Sequence, residues 1–531
     1  VAAVKSQNSV AIGGLVGGPP AGGNQAFAYP ILVQDNGNLV SVEQLNAIST
    51  SKISALKATQ ISAISTTVLS GLDNSELKNL TATQIQALTT DQIVGLIADQ
   101  LAALGTAQIA NLKNNQVAAI ALDDIASLGT TQLKGLSTTQ IEVLTANQLN
   151  ALTTTEVAAL STDQVKGLTK TQINGLNATN LKALTTAQVA VLNSTQLSGL
   201  SATQLTSLTT AQVNALGTSQ VQTLSANTIK ALSTSQVAAL STAQVAALTT
   251  SQVNDLASTT VAAMSSTQVN AMSTSQVAAL SKNAVAAMTT AQVAGLNTTV
   301  LKALTTDSIV ALTNAQVKAL TTASVAAMTT DQVKALESAD IAVLSSNQVK
   351  ALTTSQVGAL SAAQVKALTT DALVGFSTDT VKTLSSTQLN ALPAASVAAL
   401  STAQVAALTT SQVVDLTAAL VSALSTSQVG GMTTAQVAAL TTASVVALTA
   451  TQVGSMSTSQ VAALTTSQVK ALETADIAAL STGQVKALTT SQVAAMEVVD
   501  LKALNSDQVS ALSATQIGAL TAAQLIGLMG K

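Results

Sequence analysis

The stretch LSTAQVAALTTSQV at residues 240–253 holds one eight-residue phrase and most of a second. From Val40 to Leu528, every residue whose number is a multiple of eight is apolar, and the residue five places later is always Val, Ile or Leu. This register continues through 61 consecutive octads, residues 40–527, without insertion or deletion. So strict a register predicts a stack of equivalent units, because one inserted residue would move every later apolar side chain out of the core.

Each octad carries the signals of one very short helix. Ser241 followed three residues later by Gln244 is a capping box, in which the hydroxyl and the Gln side chain satisfy each other's backbone amides. Leu240 before the cap and Val245 at the fourth helical residue form a hydrophobic staple. The small residue before the next Leu, here Ala247, suits a turn where backbones approach closely. The predicted fold is therefore all-α, an α-solenoid with one short helix per octad.

Two other folds fit the repeat less well. A continuous helix turns about 100° per residue, so an eight-residue repeat overshoots two turns and its apolar stripe would wind into water. A β-solenoid is the alternative fold, since its coils are also built from short repeats. The apolar spacing of five and then three does not alternate with a period of two, and the phrase is rich in Ala, which strands disfavour.

The charged residues are distributed as separate helix dipoles require. Of 24 acidic residues, 20 lie at the first, third or fourth place after the apolar multiple of eight, and 14 of 21 Lys lie at the sixth place. Acids favour helix starts and bases favour helix ends. Pro393, the one proline inside the repeats, lies at the cap position, where it removes no helical hydrogen bond.

The spacing of lysines suggests how many octads form one coil. Lys recurs in every second octad through the middle of the chain, at Lys302, Lys318, Lys334, Lys350, Lys366 and Lys382. This spacing favours two octads per coil, with the lysines on one face. Duplication of a longer segment would give the same spacing, since LESADIA at 336–342 returns as LETADIA at 472–478.

Composition excludes most catalytic chemistry. The chain has no His, Cys, Trp or Arg, and its formal net charge is −3. Thiol and imidazole nucleophiles, bases and soft metal ligands are therefore absent, and we expect no enzyme activity, no cofactor and no metal site. A basic footprint for nucleic acid is also missing, and no apolar run is long enough to cross a bilayer. The possible metal ligands have structural interpretations. Asp123 and Asp124 are interpreted as acids at a helix start, and Met264, Met272 and Met288 as core residues in the place of Leu.

Residues 1–39 differ from the rest and form a separate Gly/Pro-rich segment before the repeats of 40–528 and a tail of 529–531. The segment includes GGLVGGPPAGG at 13–23 and FAYPILV at 27–33. One interpretation is a flexible linker that caps the solenoid. Another is a docking segment that joins copies head to tail into a filament. The candidate docking residues are Phe27, Tyr29, Pro30, Ile31, Leu32 and Val33.

The phrase LTTSQVGAL at 352–360, which returns as LTTSQVKAL at 464–472, resembles octapeptide repeats of very long bacterial secreted or cell-surface proteins, often labelled adhesins or haem-utilisation proteins. The resemblance covers residues 40–528 and carries over no functional residue. It implies an extracellular structural or adhesive role at a bacterial surface. The absence of His and Cys and the single Tyr speak against haem ligation by this chain.

These observations predict a non-enzymatic structural protein, a rigid rod that serves as a filament subunit or an adhesin stalk. The expected partner is a second copy of the chain. The main alternative is a scaffold that binds a polymer, such as a surface polysaccharide, through Ser, Thr, Asn and Gln side chains. A third hypothesis, ice binding, rests on regular rows of Thr.

Overall fold

Every octad of the described chain folds as one short α-helix. The computed structural model describes residues 53–530, and these residues contain no strand. The predicted all-α fold is therefore confirmed, and the β-solenoid alternative is wrong. The described residues fall into two units, 53–264 and 265–530, each of which is a stack of such helices.

Two residues separate helix Thr242–Ala247 from the next helix, and three residues separate five-residue helices such as Thr234–Ala238 from theirs. Helix Thr242–Ala247 follows Ser241, whose backbone is extended (φ −69°, ψ 158°), and it ends at Leu248, which has ψ 141°. The dihedral angles of both residues lie outside the α-region, so the helix cannot continue through them. Ala247 is the last helical residue, so the small residue lies at the helix end, and Leu248 with the next cap residue makes the turn.

The first unit contains helices of four to six residues, one in each octad. Their bounds are Ala58–Ser62, Thr66–Ser70, Asn74–Leu77, Ala82–Ala87, Thr90–Val94, Ala98–Ala103, Thr106–Ala110, Asn114–Ala118, Leu122–Ile125, Thr130–Gly135, Thr138–Glu142, Ala146–Ala151, Thr154–Ala159, Thr162–Gly167, Lys170–Gly175, Ala178–Ala183, Thr186–Ala190, Ser194–Leu197, Ala202–Ser207, Thr210–Asn214, Thr218–Thr223, Ala226–Lys230, Thr234–Ala238, Thr242–Ala247, Thr250–Asn254 and Ser258–Ala263.

The second unit repeats this pattern and ends in one longer helix. Its helices are Ser266–Asn270, Thr274–Ala278, Lys282–Ala286, Thr290–Ala294, Thr298–Ala303, Thr306–Val310, Asn314–Ala319, Thr322–Ala327, Thr330–Ala335, Ser338–Ala342, Ser346–Ala351, Thr354–Ala359, Ala362–Ala367, Thr370–Leu373, Thr378–Thr383, Ser386–Ala391, Ala394–Ala398, Thr402–Ala406, Thr410–Asp415, Ala418–Ser422, Thr426–Gly430, Thr434–Ala439, Thr442–Val446, Ala450–Gly454, Thr458–Ala463, Thr466–Ala471, Thr474–Ala479, Thr482–Ala487, Thr490–Ala495, Val498–Ala503, Ser506–Ser510, Ala514–Gly518 and Ala522–Met529.

Three octads form one coil in each unit. A helix packs against the helices three octads before and three octads after it, as Thr354–Ala359 does against Thr330–Ala335 and Thr378–Thr383. The prediction of two octads per coil is therefore wrong. Lysines in every second octad advance two thirds of a coil at each step, so Lys302, Lys318 and Lys334 point to three different faces. Lys302 and Lys350 share a face, because a whole number of coils separates them.

The two apolar places of the octad form the core, as predicted. Leu240 is 5% exposed and Val245 is fully buried, and the same places are buried in almost every octad. Met264, Met272 and Met288 are buried in the Leu place, which confirms their packing role. Helices this short are unstable alone, so the burial of Leu and Val against neighbouring coils stabilises them.

The helix-start signals also lie where the sequence predicts them. Pro393 is the N-cap of helix Ala394–Ala398. Asp123 and Asp124 lie in the first turn of helix Leu122–Ile125. The helix dipole and free amides of a first turn therefore account for both acids.

Candidate functional site: the buried glutamine row

The Gln at the fourth place of the octad closes the start of its own helix. Gln244 Oε1 accepts a hydrogen bond from the Ser241 backbone N–H at 2.8 Å, and Ser241 Oγ accepts one from the Gln244 backbone N–H at 3.2 Å. This is the predicted capping box. It satisfies two of the backbone amides that a helix start leaves without a partner.

The other half of the same amide group reaches the previous coil. Gln244 Nε2 donates to the carbonyl of Val213 at 2.9 Å and to the carbonyl of Leu216 at 2.7 Å. Val213 lies near the end of helix Thr210–Asn214, where carbonyl groups have no partner within the helix. Gln244 is only 2% exposed. Its Oε1 and both N–H groups of its Nε2 have hydrogen-bond partners, as buried polar groups require.

The second unit contains the same arrangement. Gln364 Oε1 accepts from the Ser361 N–H at 2.7 Å, and its Nε2 donates to the carbonyls of Val333 at 3.0 Å and Leu336 at 2.7 Å. The two acceptors again lie 31 and 28 residues earlier. We call this repeated feature the glutamine row. Each of its hydrogen bonds contributes about 0.5–1.5 kcal/mol, and losing one buried donor costs more than that bond alone.

Some octads replace Gln by Ser or Thr. Thr441 Oγ1 donates to Ser444 Oγ at 2.9 Å, so the two hydroxyls bond to each other. Ser444 is fully buried, but no hydrogen bond joins its side chain to an earlier coil among the described residues. Such octads lose the connection between coils. They keep the local cap where Ser or Thr precedes the helix, whereas Ala257 and Pro393 supply no side-chain cap.

Three octads place Asp in the Gln position behind a Glu cap. Asp340 Oδ2 accepts from the Glu337 N–H at 3.0 Å, and Asp476 and Asp500 do the same with Glu473 and Glu497. Burial raises the pKa of Asp340, and the nearby Glu337 charge raises it further, while the backbone hydrogen bond from Glu337 lowers it. An ionised Asp has no hydrogen to donate to the previous coil.

A second connection between coils uses Asn at the sixth place. Asn150 Nδ2 donates to the Gly175 carbonyl at 2.7 Å, and Asn150 Oδ1 accepts from the Asn177 N–H at 2.9 Å. Asn270 holds Gly295 and Asn297 in the same way. These Asn side chains bridge to the turn of the next coil on the surface.

Sequence reasoning missed both connections between coils. It assigned Gln only the role of a reciprocal cap, and it gave Asn no role at the sixth place. The preference for Gln over Glu at the fourth place is the signal that could have revealed the buried donor, because Glu completes a capping box equally well. Only a side chain with both an acceptor and a donor serves the cap and the previous coil together.

The surface of the second unit has shallow grooves between coils. One is lined by Thr274, Ser275, Ala278, Thr299, Lys302 and Ala303. Another is lined by Lys470, Glu473, Thr474, Glu497, Val499 and Asp500. Within residues 53–530 no group of three or more acidic side chains is arranged to hold a metal ion.

The predicted docking segment and the possibility of a membrane-spanning helix lie apart from the glutamine row. The candidate docking residues Phe27, Tyr29, Pro30, Ile31, Leu32 and Val33 lie outside the described residues. Over the part of the chain that is described, no helix is long and apolar enough to cross a membrane.

Comparison with known proteins identifies the repeat. The profile of the ALTTAQ repeat matches ten segments, at residues 117–154, 147–178, 227–258, 285–322, 309–337, 333–370, 381–418, 442–474, 469–499 and 493–529. Together these segments cover more than half of the chain. A search of curated proteins found no match.

The six letters of the family name have a direct structural meaning here. ALTTAQ occurs at residues 183–188, from the last residue of helix Ala178–Ala183, through the turn residues Leu184 and Thr185, to Gln188. Gln188 Nε2 donates to the carbonyls of Val157 and Leu160 at 3.0 and 2.8 Å. The family motif thus contains the turn, the cap and the connection between coils, and this chain belongs to the ALTTAQ repeat family.

Proposed function

We propose that the chain is an extracellular structural protein of a bacterium, without enzyme activity, that serves as a rigid stalk or as a filament subunit. The observation that supports this proposal is the glutamine row. The same buried donor joins one coil to the previous one many times within each unit, at Gln84, Gln244, Gln364 and Gln492 for example. A stack with a repeated connection between coils resists bending and local opening. A stalk requires this resistance.

Head-to-tail self-association is part of the proposal. A stack whose coils bond through donors on one side and carbonyl acceptors on the other is polar along its axis. Contacts between copies of such a unit are heterologous, and these contacts build fibres when they do not close into a ring. The docking segment predicted at 27–33 is the part of the chain that we assign to this contact.

Electron microscopy of the purified chain tests this proposal. We expect straight particles that join end to end at higher concentration. A variant lacking residues 1–39 should give single particles of unchanged helicity, and a milder variant, Phe27→Ser with Tyr29→Ser, should weaken the joining. Fibres that persist unchanged in both variants would refute the role of the docking segment. Flexible or globular particles would refute the stalk.

Polysaccharide binding is the second candidate, and the groove at Thr274, Ser275, Thr299 and Lys302 favours it. A glycan array with the full chain and with Thr274→Val/Thr299→Val tests it, and equal signals would exclude this groove. Ice binding has less support, because the first Ser or Thr of the octad is engaged in the cap, as Ser241 is. A thermal-hysteresis assay decides that question.

A further inference from the structure

Two Glu–Asp pairs lie directly above one another in the second unit. Glu473 is the N-cap of helix Thr474–Ala479, which contains Asp476. Glu497 is the N-cap of helix Val498–Ala503 one coil later, which contains Asp500. The two helices pack against each other. Two successive coils on one face therefore place Asp in the position that Gln occupies elsewhere.

Both Asp side chains are buried. Each accepts the hydrogen bond from its cap residue, as Gln does, but within the described part of the chain makes no bond to the carbonyls that Gln would reach in the previous coil. Asp476 is 2% exposed and accepts from the Glu473 N–H at 2.9 Å, and Asp500 is 4% exposed and accepts from the Glu497 N–H at 3.3 Å. The carbonyls that a Gln would reach in the previous coil are those of Leu448 and Leu472. Both Leu residues are buried, and among the described residues no side-chain amide donates to these carbonyls. An ionised Asp cannot supply the missing donor, whereas a protonated Asp carries a hydroxyl that can.

Charges from the surrounding helices do not neutralise the Asp residues. Helices Ala450–Gly454 and Ala522–Met529, which pack on either side, contain no charged residue. The charged groups at the joint are the two Glu–Asp pairs, Lys502 on the second helix, and Lys470, which lines the same groove. Among the described residues no ion pair joins Lys470 or Lys502 to these Asp residues.

The protonation preferences follow from this arrangement. Burial raises the pKa of Asp476, the Glu473 charge also raises it, and the backbone hydrogen bond lowers it. The pKa of Asp500 is raised by burial first, with the Glu497 charge adding to this and the hydrogen bonds from the Glu497 backbone and from Thr474 opposing it. Each folded carboxyl thus binds its proton more tightly than it does in the unfolded chain.

We propose that the stacked Glu–Asp pairs form an acid-sensitive joint, in which protonation of Asp476 and Asp500 tightens the contact between coils and deprotonation loosens it. Because each folded pKa lies above the unfolded value, the stabilisation is fully present below the unfolded pKa and is lost as the pH rises through the folded pKa. At neutral pH the segment 449–503 opens more readily than segments built on Gln. The joint is a pH-dependent weak point at a defined position in the stack.

Hydrogen exchange measured by mass spectrometry on the full chain tests the joint. After correction for the intrinsic pH dependence of exchange, opening of 449–503 should slow by about fivefold between pH 7.5 and pH 4, the effect of one added hydrogen bond between coils. Residues 393–447 contain no Glu–Asp pair and serve as the internal control. Equal changes in the two segments, or faster opening of 449–503 at pH 4, would overturn the proposal.

The matched variant is Asp476→Gln with Asp500→Gln, which restores the residue used in most other octads. This variant should protect 449–503 at both pH values and remove the difference between them. A second variant, Glu473→Thr with Glu497→Thr, removes the neighbouring charges and should reduce the difference without abolishing it, because burial is the larger cause of both raised pKa values. A pH difference that persists in full in the Gln variant would show that other groups cause it.

Discussion

The side-chain amide of Gln244 donates to the backbone carbonyl of Leu216, 28 residues earlier, at 2.7 Å. The same side chain accepts from the amide of Ser241, three residues earlier. One Gln therefore couples the start of a helix to the coil before it, so forming the helix and forming the stack depend on each other. This coupling gives such short helices the cooperativity that they lack in isolation.

Replacing Gln244 by Glu tests the donor half of this coupling. Glu keeps the acceptor for the Ser241 N–H, but its ionised form has no hydrogen for Val213 and Leu216 and buries a charge. We expect local opening of residues 213–248 to become easier by about 1–3 kcal/mol at pH 7, measured by hydrogen exchange. Thr242→Ala on the exposed side of the same helix is the control and should change little. Equal effects of the two substitutions would contradict the role of the amide.

Asp340 offers the opposite experiment, because Gln should be better than the natural residue there. Asp340→Gln should stabilise helix Ser338–Ala342 by about 1 kcal/mol at pH 7, since it removes a buried carboxylate and supplies a donor toward Leu312. Burial is the first cause of the raised pKa of Asp340. The folded state therefore suffers from ionisation of Asp340 at high pH, and the advantage of Gln should shrink as the pH falls toward 3.8, the unfolded value.

Denaturant unfolding at pH 7 and pH 4 measures this advantage. Asp331→Asn is the matched control, because the Asp331 side chain is 78% exposed and its contact with Lys334 at 4.0 Å is a weak surface pair. It should change stability little at either pH. An advantage of Asp340→Gln that grows as the pH falls would contradict the assigned cause.

Asn150 tests the surface connection between coils. Asn150→Ala removes the hydrogen bonds to the Gly175 carbonyl and the Asn177 N–H, and we expect a loss of about 1–2 kcal/mol in local stability. Asn147 lies on the same helix, away from this bridge, so Asn147→Ala is the control. Hydrogen exchange of residues 145–180 compares the two variants. Loss of protection in both or in neither would show that the bridge contributes nothing.

Gly295 tests how closely successive coils approach. A Cβ added there would lie 2.8 Å from the Cβ of Ser266, whereas a Cβ at Gly518 meets no atom within 4 Å. Gly295→Ala should therefore destabilise the second unit by about 1 kcal/mol through overpacking. Gly518→Ala should stabilise it slightly, because Ala has a higher helix propensity than Gly. Thermal unfolding of the two variants checks the predicted opposite signs, and a gain in both would contradict the close approach.

The sequence predicted the parts of the fold that depend on near neighbours. Ser241, Gln244 and Val245 interact within a few residues of one another, so the cap, the helix start and the core places could be identified from the octad alone. The acids of the first turn and Pro393 followed from the same local rules. Position in the octad also indicated correctly that Met264, Met272 and Met288 belong to the core.

The number of octads per coil could not be identified in this way. Lys302 and Lys318 suggested a repeat of two octads, but the packing of helices three octads apart sets the coil. The angle between successive helices depends on the extended backbone of residues such as Leu248 and Thr249. The lysine spacing carries no information about that angle. The spacing of surface charges does not report coil geometry, because exposed Lys side chains contribute little to packing.

The sequence by itself determined that each octad is a helix with two buried places, because the capping box and the staple act within a few residues. Only the tertiary structure decided what the free amide of Gln244 binds, and which Asp residues are left without that bond. Those partners lie 28 to 31 residues away. Their identity depends on three octads closing one coil, which is a property of packing between helices and is written in no single repeat.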